Sequence, residues 1–490
     1  MKKLLAIGKH MLMDSLIRQY EAKGFVVDGR EELSAEGISI NDYDELWVLA
    51  GDGEDDRAVA VVGQLALEYD VEQHTGRRLT CHLMVQQAET LRMLQTCDFC
   101  KEVRQRADIY PFTTDELWSR SIVLDYVPIT IQSERHVHLV ICGMGRVAET
   151  VAIQAALVAH YPNYTLDHSL RTRITMIDAE AEKLSEDLTK RYRHLFDNSY
   201  YRVVKPGEEK VVVKFHHPMY EGKREDFVDV EWEFVVAEPW DADVREKLRL
   251  WAGDERQLMT VVMAHDSVDK NQSLALLLPD ELYAHPIPIH ITPSFKGDGQ
   301  GVGCYHFALS SHLSLIQMAK NVNYVYDCCY RENIQKWSGE LRYAVEIDAE
   351  ERERSWGRLS NAKRMSCICN AMAIATKMRS VGLDADDWEH FYDILQKDIE
   401  LLAQTEHHRW IVEELILGFR PCTEEEQQAV EADISQKSVL KKRKIHYDLR
   451  AYNDLRADET GKSVKIYNLC LCSCLPLIAR AFVEEKGGEA

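Results

Sequence analysis

What the chain lacks narrows its function first. Nowhere do about 18 consecutive apolar residues occur, the length a helix needs to cross a bilayer. The opening Met1-Lys-Lys-Leu-Leu-Ala-Ile-Gly is interrupted by Lys9 and His10 before the apolar core of a signal peptide develops. A soluble, cytoplasmic protein is expected. The thirteen cysteines are an odd number in a 490-residue chain without a secretory signal, and they read as reduced thiols. Cys97-x-x-Cys100 has no second pair to complete the roughly four donors of a structural zinc site. Cys470-x-Cys472-x-Cys474 lies in the apolar segment Ile466 to Ala479 and reads as core, so no metal is expected.

Positive charge is also in deficit. With 59 Lys and Arg against 81 Asp and Glu, the net charge of −22 disfavours a nucleic-acid polymer, whose binding relies on phosphate neutralisation. The one basic run, Lys437 and Lys441 to Lys444, follows an acidic run, Glu424 to Glu426, Glu431 and Asp433, and reads as a solvated charged surface. Three catalytic signatures are missing: Gly-x-Ser-x-Gly, the P-loop and His-Glu-x-x-His. His265-Asp266, at a strand end, is the one catalytic-looking pair, and such ends equally bind ribose.

What is present is clearest between His136 and His160. Val137 to Cys142 is a short apolar, β-branched run and Val147 to Ala159 an apolar helix-forming run, joined through Gly143-x-Gly145-x-x-Ala148. Gly143 permits a tight turn, Gly145 lets backbone approach a phosphate, and Ala148 lets the helix pack on the strand. The helix N-terminus then offers free N–H groups to an anion. A second strand, Arg173 to Ile177, ends in Asp178, where a dinucleotide fold places its ribose-binding carboxylate.

The same order of elements occurs at the start of the chain, with strands at Lys3 to Ile7, Phe25 to Val27, Glu45 to Ala50 and Leu79 to Val85, and helices at Met11 to Ala22 and Ala58 to Tyr69. There the turn is degraded to Gly8-Lys9-His10, a poorer seat for a phosphate. Strand-helix alternation at this spacing predicts parallel, doubly wound sheets. Ile109 to Leu124 reads as a turn and amphipathic helix. Further strands are expected at Asp229 to Val236 and Leu258 to Met263, and the match of Ala264-His265-Asp266 with Ala50-Gly51-Asp52 suggests duplication of one plan. The glycine-rich stretch Phe295 to Cys304 reads as a linker, and strand signals vanish after Tyr305.

Two resemblances follow. The tandem units of the first 290 residues or so are similar to the Rossmann (TrkA-N, or RCK) domains that regulate potassium channels and transporters by binding NAD or other adenine nucleotides. That resemblance implies a nucleotide cleft lined by Gly143, Gly145, Arg146, Asp178 and Asp266. The C-terminal third pairs a helix from Leu402, ended by Gly418 and Pro421, with Lys444-Ile-His-Tyr-Asp-Leu-Arg-Ala-Tyr-Asn-Asp-Leu455. Its Glu406, His407, Arg409, Trp410, Gly418, Phe419, His446, Leu449, Tyr452 and Leu455 resemble the RyR domain, the helical repeat first described in ryanodine receptors and found also in bacterial proteins. His407, Arg409, Trp410, Arg420, Lys444, His446 and Tyr452 have the chemistry of a nucleotide-like ligand pocket: aromatic faces for a base and cations for phosphate.

The fold class expected is therefore α/β, two doubly wound Rossmann-like units followed by an all-α RyR module. The divisions are 1–131, 134–292, a glycine-rich linker with helices at 293–344, and 345–490. The function implied is a ligand-sensing regulator of the kind proposed for bacterial defence signalling, taking NAD, another adenine nucleotide or a nucleotide-derived messenger. A homo-oligomer with a membrane or effector protein as partner is part of that expectation. A soluble regulator of a potassium channel or transporter and an NAD-dependent enzyme remain alternatives.

Overall fold

The computed structural model describes residues 2–124, 129–207, 211–216, 218, 227–284, 287–291, 309–331, 347–382, 388–456, 464–475 and 477–479. The chain is α/β. It divides into two compact units, each built on a parallel sheet.

In the first unit, strands β1 (Lys3–Ile7), β2 (Val26–Arg30), β3 (Glu45–Leu49), β4 (Leu79–Met84) and β5 (Ala107–Phe112) form a parallel sheet in the order β2-β1-β3-β4-β5. Its central strands are buried along almost their whole length, as strands covered on both faces must be. The strand β5 replaces the turn expected around Ile109. Pro111 conceals it in the sequence, because proline cannot donate to a ladder, yet β5 lies at the sheet edge, where proline is tolerated.

Asp348–Met365 belongs to this first unit. The Trp356 indole donates to the Tyr110 hydroxyl at 2.9 Å. Arg364 pairs with Asp108 at 2.6 Å, and Arg78 reaches the other oxygen of the same carboxylate at 2.8 Å.

In the second unit, strands β6 (His136–Cys142), β7 (Thr172–Asp178), β8 (Tyr200–Lys205), β9 (Val211–His216), β10 (Val230–Val236), β11 (Gln257–Met263) and β12 (Ile289–Ile291) are ordered β12-β11-β6-β7-β10-β8-β9. All pairs are parallel except β8 with β9 at the edge. The run β7-β6-β11-β12 repeats the run β2-β1-β3-β4 of the first sheet, strand for strand. Beyond β7 the second sheet adds β10, β8 and β9, while the first stops at β2. The polar region between β7 and β10 is thus the source of an edge extension, with β10 slotted between β7 and β8.

The same unit contains the C-terminal helices, dominated by Trp388–Ile416. Its His408 ring meets Tyr164 edge-on at 5.2 Å. The helical module is not wholly α: Arg420–Pro421 and Ile445–His446 form a two-residue parallel pair. Among the described residues no helix is long and apolar enough to cross a membrane.

Candidate functional site

The carboxyl edge of the second sheet brings the first group of expected residues together. The chain leaves β6 toward β7 on one side, while β11 lies on the other, so a topological switch point falls between β6 and β11, where doubly wound sheets open a crevice. Gly143 sits at that point with φ +114, and its N–H donates to the Ile177 carbonyl at 2.8 Å. A Cβ there would lie 3.0 Å from both the Ala264 carbonyl oxygen and the His265 nitrogen, so β11's exit seals the turn from below.

Gly145 caps the helix Arg146–Val158 with extended backbone and brings no side chain of its own to the N–H groups that begin that helix. Those groups are the anion seat a phosphate uses. Asp178 ends β7 and accepts from the Glu180 N–H at 2.9 Å. Asp266 comes so close that a Cβ on Gly145 would stand 2.3 Å from its Oδ1. The obstacle to a side chain here is an exposed carboxylate at the end of a rotatable side chain, not backbone. A phosphate entering the seat must displace Asp266, whereas a ribose hydroxyl can donate to it.

The loop after β11 is held from within. Asn271, fully buried, accepts from the His265 N–H and donates to the His265 carbonyl, both at 2.8 Å. Burial, then the charge of Lys270, push the His265 imidazole below its ordinary value against the opposing charges of Asp178, Glu238 and Asp266. Arg146 is exposed at the rim.

The equivalent point of the first sheet is closed. Gly8 has φ +119, and a Cβ would stand 2.1 Å from the Leu49 carbonyl oxygen. No second glycine follows; His10 folds in, its Nδ1 accepting from the Leu12 N–H at 3.2 Å.

In the helical module the expected pocket residues separate into two sets. Arg409 does not face a ligand. Its guanidinium is buried and donates to Glu406 at 2.9 and 3.0 Å and to Glu413 at 2.6 Å. Lys377 and Asn370 complete the shell of Glu406. Burial alone would raise the Glu406 carboxyl, but Arg409 and Lys377 outweigh it and bring it down to about 2. The expectation that Arg409 meets phosphate is therefore corrected: its charge is spent inside the protein, where an unpaired guanidinium would be costly. Arg420 likewise forms a two-pronged pair with Glu426 at 2.7 and 2.8 Å.

The aromatic set does converge. Tyr452 and His407 meet at 5.8 Å, His407 stacks with Trp410 at 5.6 Å, Trp410 meets His446 edge-on at 4.9 Å, and His446 meets Phe419 at 5.9 Å. Lys465 lies over Tyr452 at 4.5 Å and Lys444 over Phe419 at 4.4 Å, so cations stand at both ends of the row. His407 is buried with Nε2 against the Arg450 carbonyl at 2.8 Å, and burial pushes it down to about 3. His446 is held well below its ordinary value by burial and then by Lys441 and Lys437. Both imidazoles are thus neutral rings. Tyr452 donates to Glu400 at 2.9 Å, and Trp410 is half-buried.

Sequence reasoning missed Lys377, Glu413, Glu414 and Asn271. The Glu406-Arg409-Glu413 spacing of three and four residues was the available signal for an internal ion cluster. Among the described residues no group of three or more His, Cys, Asp or Glu could hold a metal ion.

No family model matches the chain, and no curated protein matches it. Among solved structures, that of NtrX from Brucella abortus in complex with ADP aligns over 90% of this chain and 99% of its own, with 9% identity and a TM-score of 0.15. A likeness that slight carries no argument about fold or ligand.

Proposed function

We propose that the protein is a ligand-sensing regulator of the cytoplasm that binds an adenine nucleotide, NAD among them, at the β6/β11 switch point, and a nucleotide-like messenger on its helical module. The observation that supports this most is the Gly143-Met144-Gly145 turn, which delivers a helix N-terminus to the crevice, with Asp178 at the end of the neighbouring strand β7. Backbone N–H groups there suit a pyrophosphate and the carboxylate suits a ribose.

Thermal unfolding with NAD, NADH, ATP and ADP-ribose tests the cleft. A ligand at a hundred times its Kd adds about 2.7 kcal/mol to the stability of the folded state, a readily measured shift. The wild type is expected to shift with at least one of these ligands and Gly145→Val with none. Absence of any shift across the panel would sink the assignment.

A further inference from the structure

The long helix Trp388–Ile416 ends in two adjacent acids, Glu413 and Glu414, with no basic residue in its last turn. Negative charge there opposes the helix dipole, and burial adds to the cost. Glu413 is paid for in part by Arg409, but its Oε1 has no hydrogen-bond partner among the described residues. Glu414 is 91% buried by its 9% exposure, and its Oε2 is likewise unpartnered among the described residues. Burial first and Glu413 second push the Glu414 carboxyl up to about 7, against the opposing charges of Lys441, Lys444 and Arg409. A buried acceptor with nothing to accept, held at the wrong end of a helix, requires a reason.

Glu414 lies four residues after Trp410 and seven after His407, so the three share one helix face. That face carries the half-buried indole and, through His446, the Phe419 ring. The chain turns back at Glu414 as well: the Phe419 N–H donates to its carbonyl at 2.9 Å. Lys444, which adopts φ +60 although it is not glycine, holds its ammonium over Phe419. Both Lys441 and Lys444 are exposed. A strained backbone at a cation, near an unsatisfied carboxylate and a half-buried indole, is the arrangement of a ligand clamp.

Resting on the reading of this module as a nucleotide receptor, we infer that it carries a site for a guanine nucleotide, with Glu414 reading the pairing edge of the base, Trp410 taking its face, and Lys441 and Lys444 meeting its phosphates. The choice of base follows from hydrogen-bonding inventories. In its ionised form, which two facing donors favour, the Glu414 carboxylate only accepts, and the guanine edge presents two neighbouring donors, N1–H and the N2 amine. Adenine presents one donor beside an acceptor, whose lone pair would face the carboxylate. A simple organic cation would meet Glu414 well, but would be repelled by Lys441 and Lys444. The nucleotide supplies donors at one end and negative charge at the other.

The test uses the full chain carrying Gly145→Val, which blocks the Rossmann cleft, and calorimetry with GDP, IDP and ADP. GDP is expected to bind about tenfold or more tighter than ADP. IDP, which lacks the N2 amine, falls between them. Glu414→Gln has the same shape but places an amide donor against a base donor; it should remove the GDP preference and, because an amide's acceptor and donor match the adenine edge, bind ADP at least as well as its parent, an effect that a merely structural role would not produce. Binding of GDP by Glu414→Gln as tightly as by its parent, or ADP equal to GDP, overturns the inference. If the wild type binds adenine nucleotides and Gly145→Val binds none of the three, the guanine site is refuted while the cleft stands. If neither protein binds any nucleotide, both readings fail.

Discussion

At the exit of β1 and at the exit of β6 the chain makes the same crossing over a neighbouring strand, and the two crossings differ in how tightly they are made. Over β3, Gly8 is so close that a single added carbon would overlap the Leu49 carbonyl oxygen at 2.1 Å. Over β11, the corresponding distance at Gly143 is 3.0 Å. Downstream, the first turn continues with Lys9 and His10, and the His10 Nδ1 accepts from the Leu12 N–H. The second continues to Gly145, which leaves backbone open and meets only the movable end of Asp266. One plan thus yields a sealed edge in one sheet and an accessible one in the other. The difference lies in a few residues of the turn and not in the strand order, which the two share across β2-β1-β3-β4 and β7-β6-β11-β12.

The sharpest way to break this comparison is Gly8→Ala. The added carbon meets backbone, which cannot rotate away, at a positive φ that alanine disfavours, so the loss should be at least about 3 kcal/mol. Urea unfolding of the variant measures it, and a loss below about 1 kcal/mol would mean that the sealed edge is softer than its geometry. A middle-sized effect is expected at Asn271, which clamps the exit of β11 through both backbone groups of His265. Asn271→Ala leaves that N–H and C=O without their partner and should cost about 1 to 3 kcal/mol by the same measurement. Weaker nucleotide-dependent stabilisation should accompany it, because His265 and Asp266 lose their fixed position. An unaltered ligand response would show that the cleft does not depend on that loop.

Much of this architecture is legible in the sequence, and the misses have specific causes. Val137 to Cys142 and Leu258 to Met263 announce themselves because a parallel strand buried on both faces is a continuous apolar run. The strand β5 does not, since Pro111 is a turn residue everywhere except at an edge. Nor does the insertion of β10 between β7 and β8, because periodicity gives a strand its buried faces without saying which strand will pair with it. The helix Ala349–Gly357 shows the same limit: burial of Trp356 is predictable, its hydrogen bond to Tyr110, 246 residues away, is not. At the candidate sites, the positions of Gly143 and Asp178 at strand ends were readable from the strand-turn-helix pattern. Arg409 was misjudged because its type suits phosphate while its partners, Glu406 and Glu413, suit it better. Glu414 drew no notice because an exposed-looking acid on an amphipathic helix is ordinary until its burial is known.

The smallest stability change is expected at Gly145, and there the comparison between the two edges is most exposed to test. Its φ of −73 and ψ of −172 are values that any residue adopts, so alanine brings no backbone strain. The one near neighbour of its added carbon is the Asp266 carboxylate, exposed and free to swing outward. Gly145→Ala should therefore change unfolding free energy by less than about 0.5 kcal/mol, within the range of ordinary surface substitutions. The same methyl stands where a phosphate would approach the backbone, so the thermal shift from an adenine nucleotide should fall even though the protein is as stable as before. Gly8→Ala gives the opposite signature, loss of stability at an edge where no ligand is proposed. If Gly145→Ala instead destabilises the fold by as much as Gly8→Ala, the two turns are equivalent packing devices, and the open edge at β6 has no claim to be a binding site.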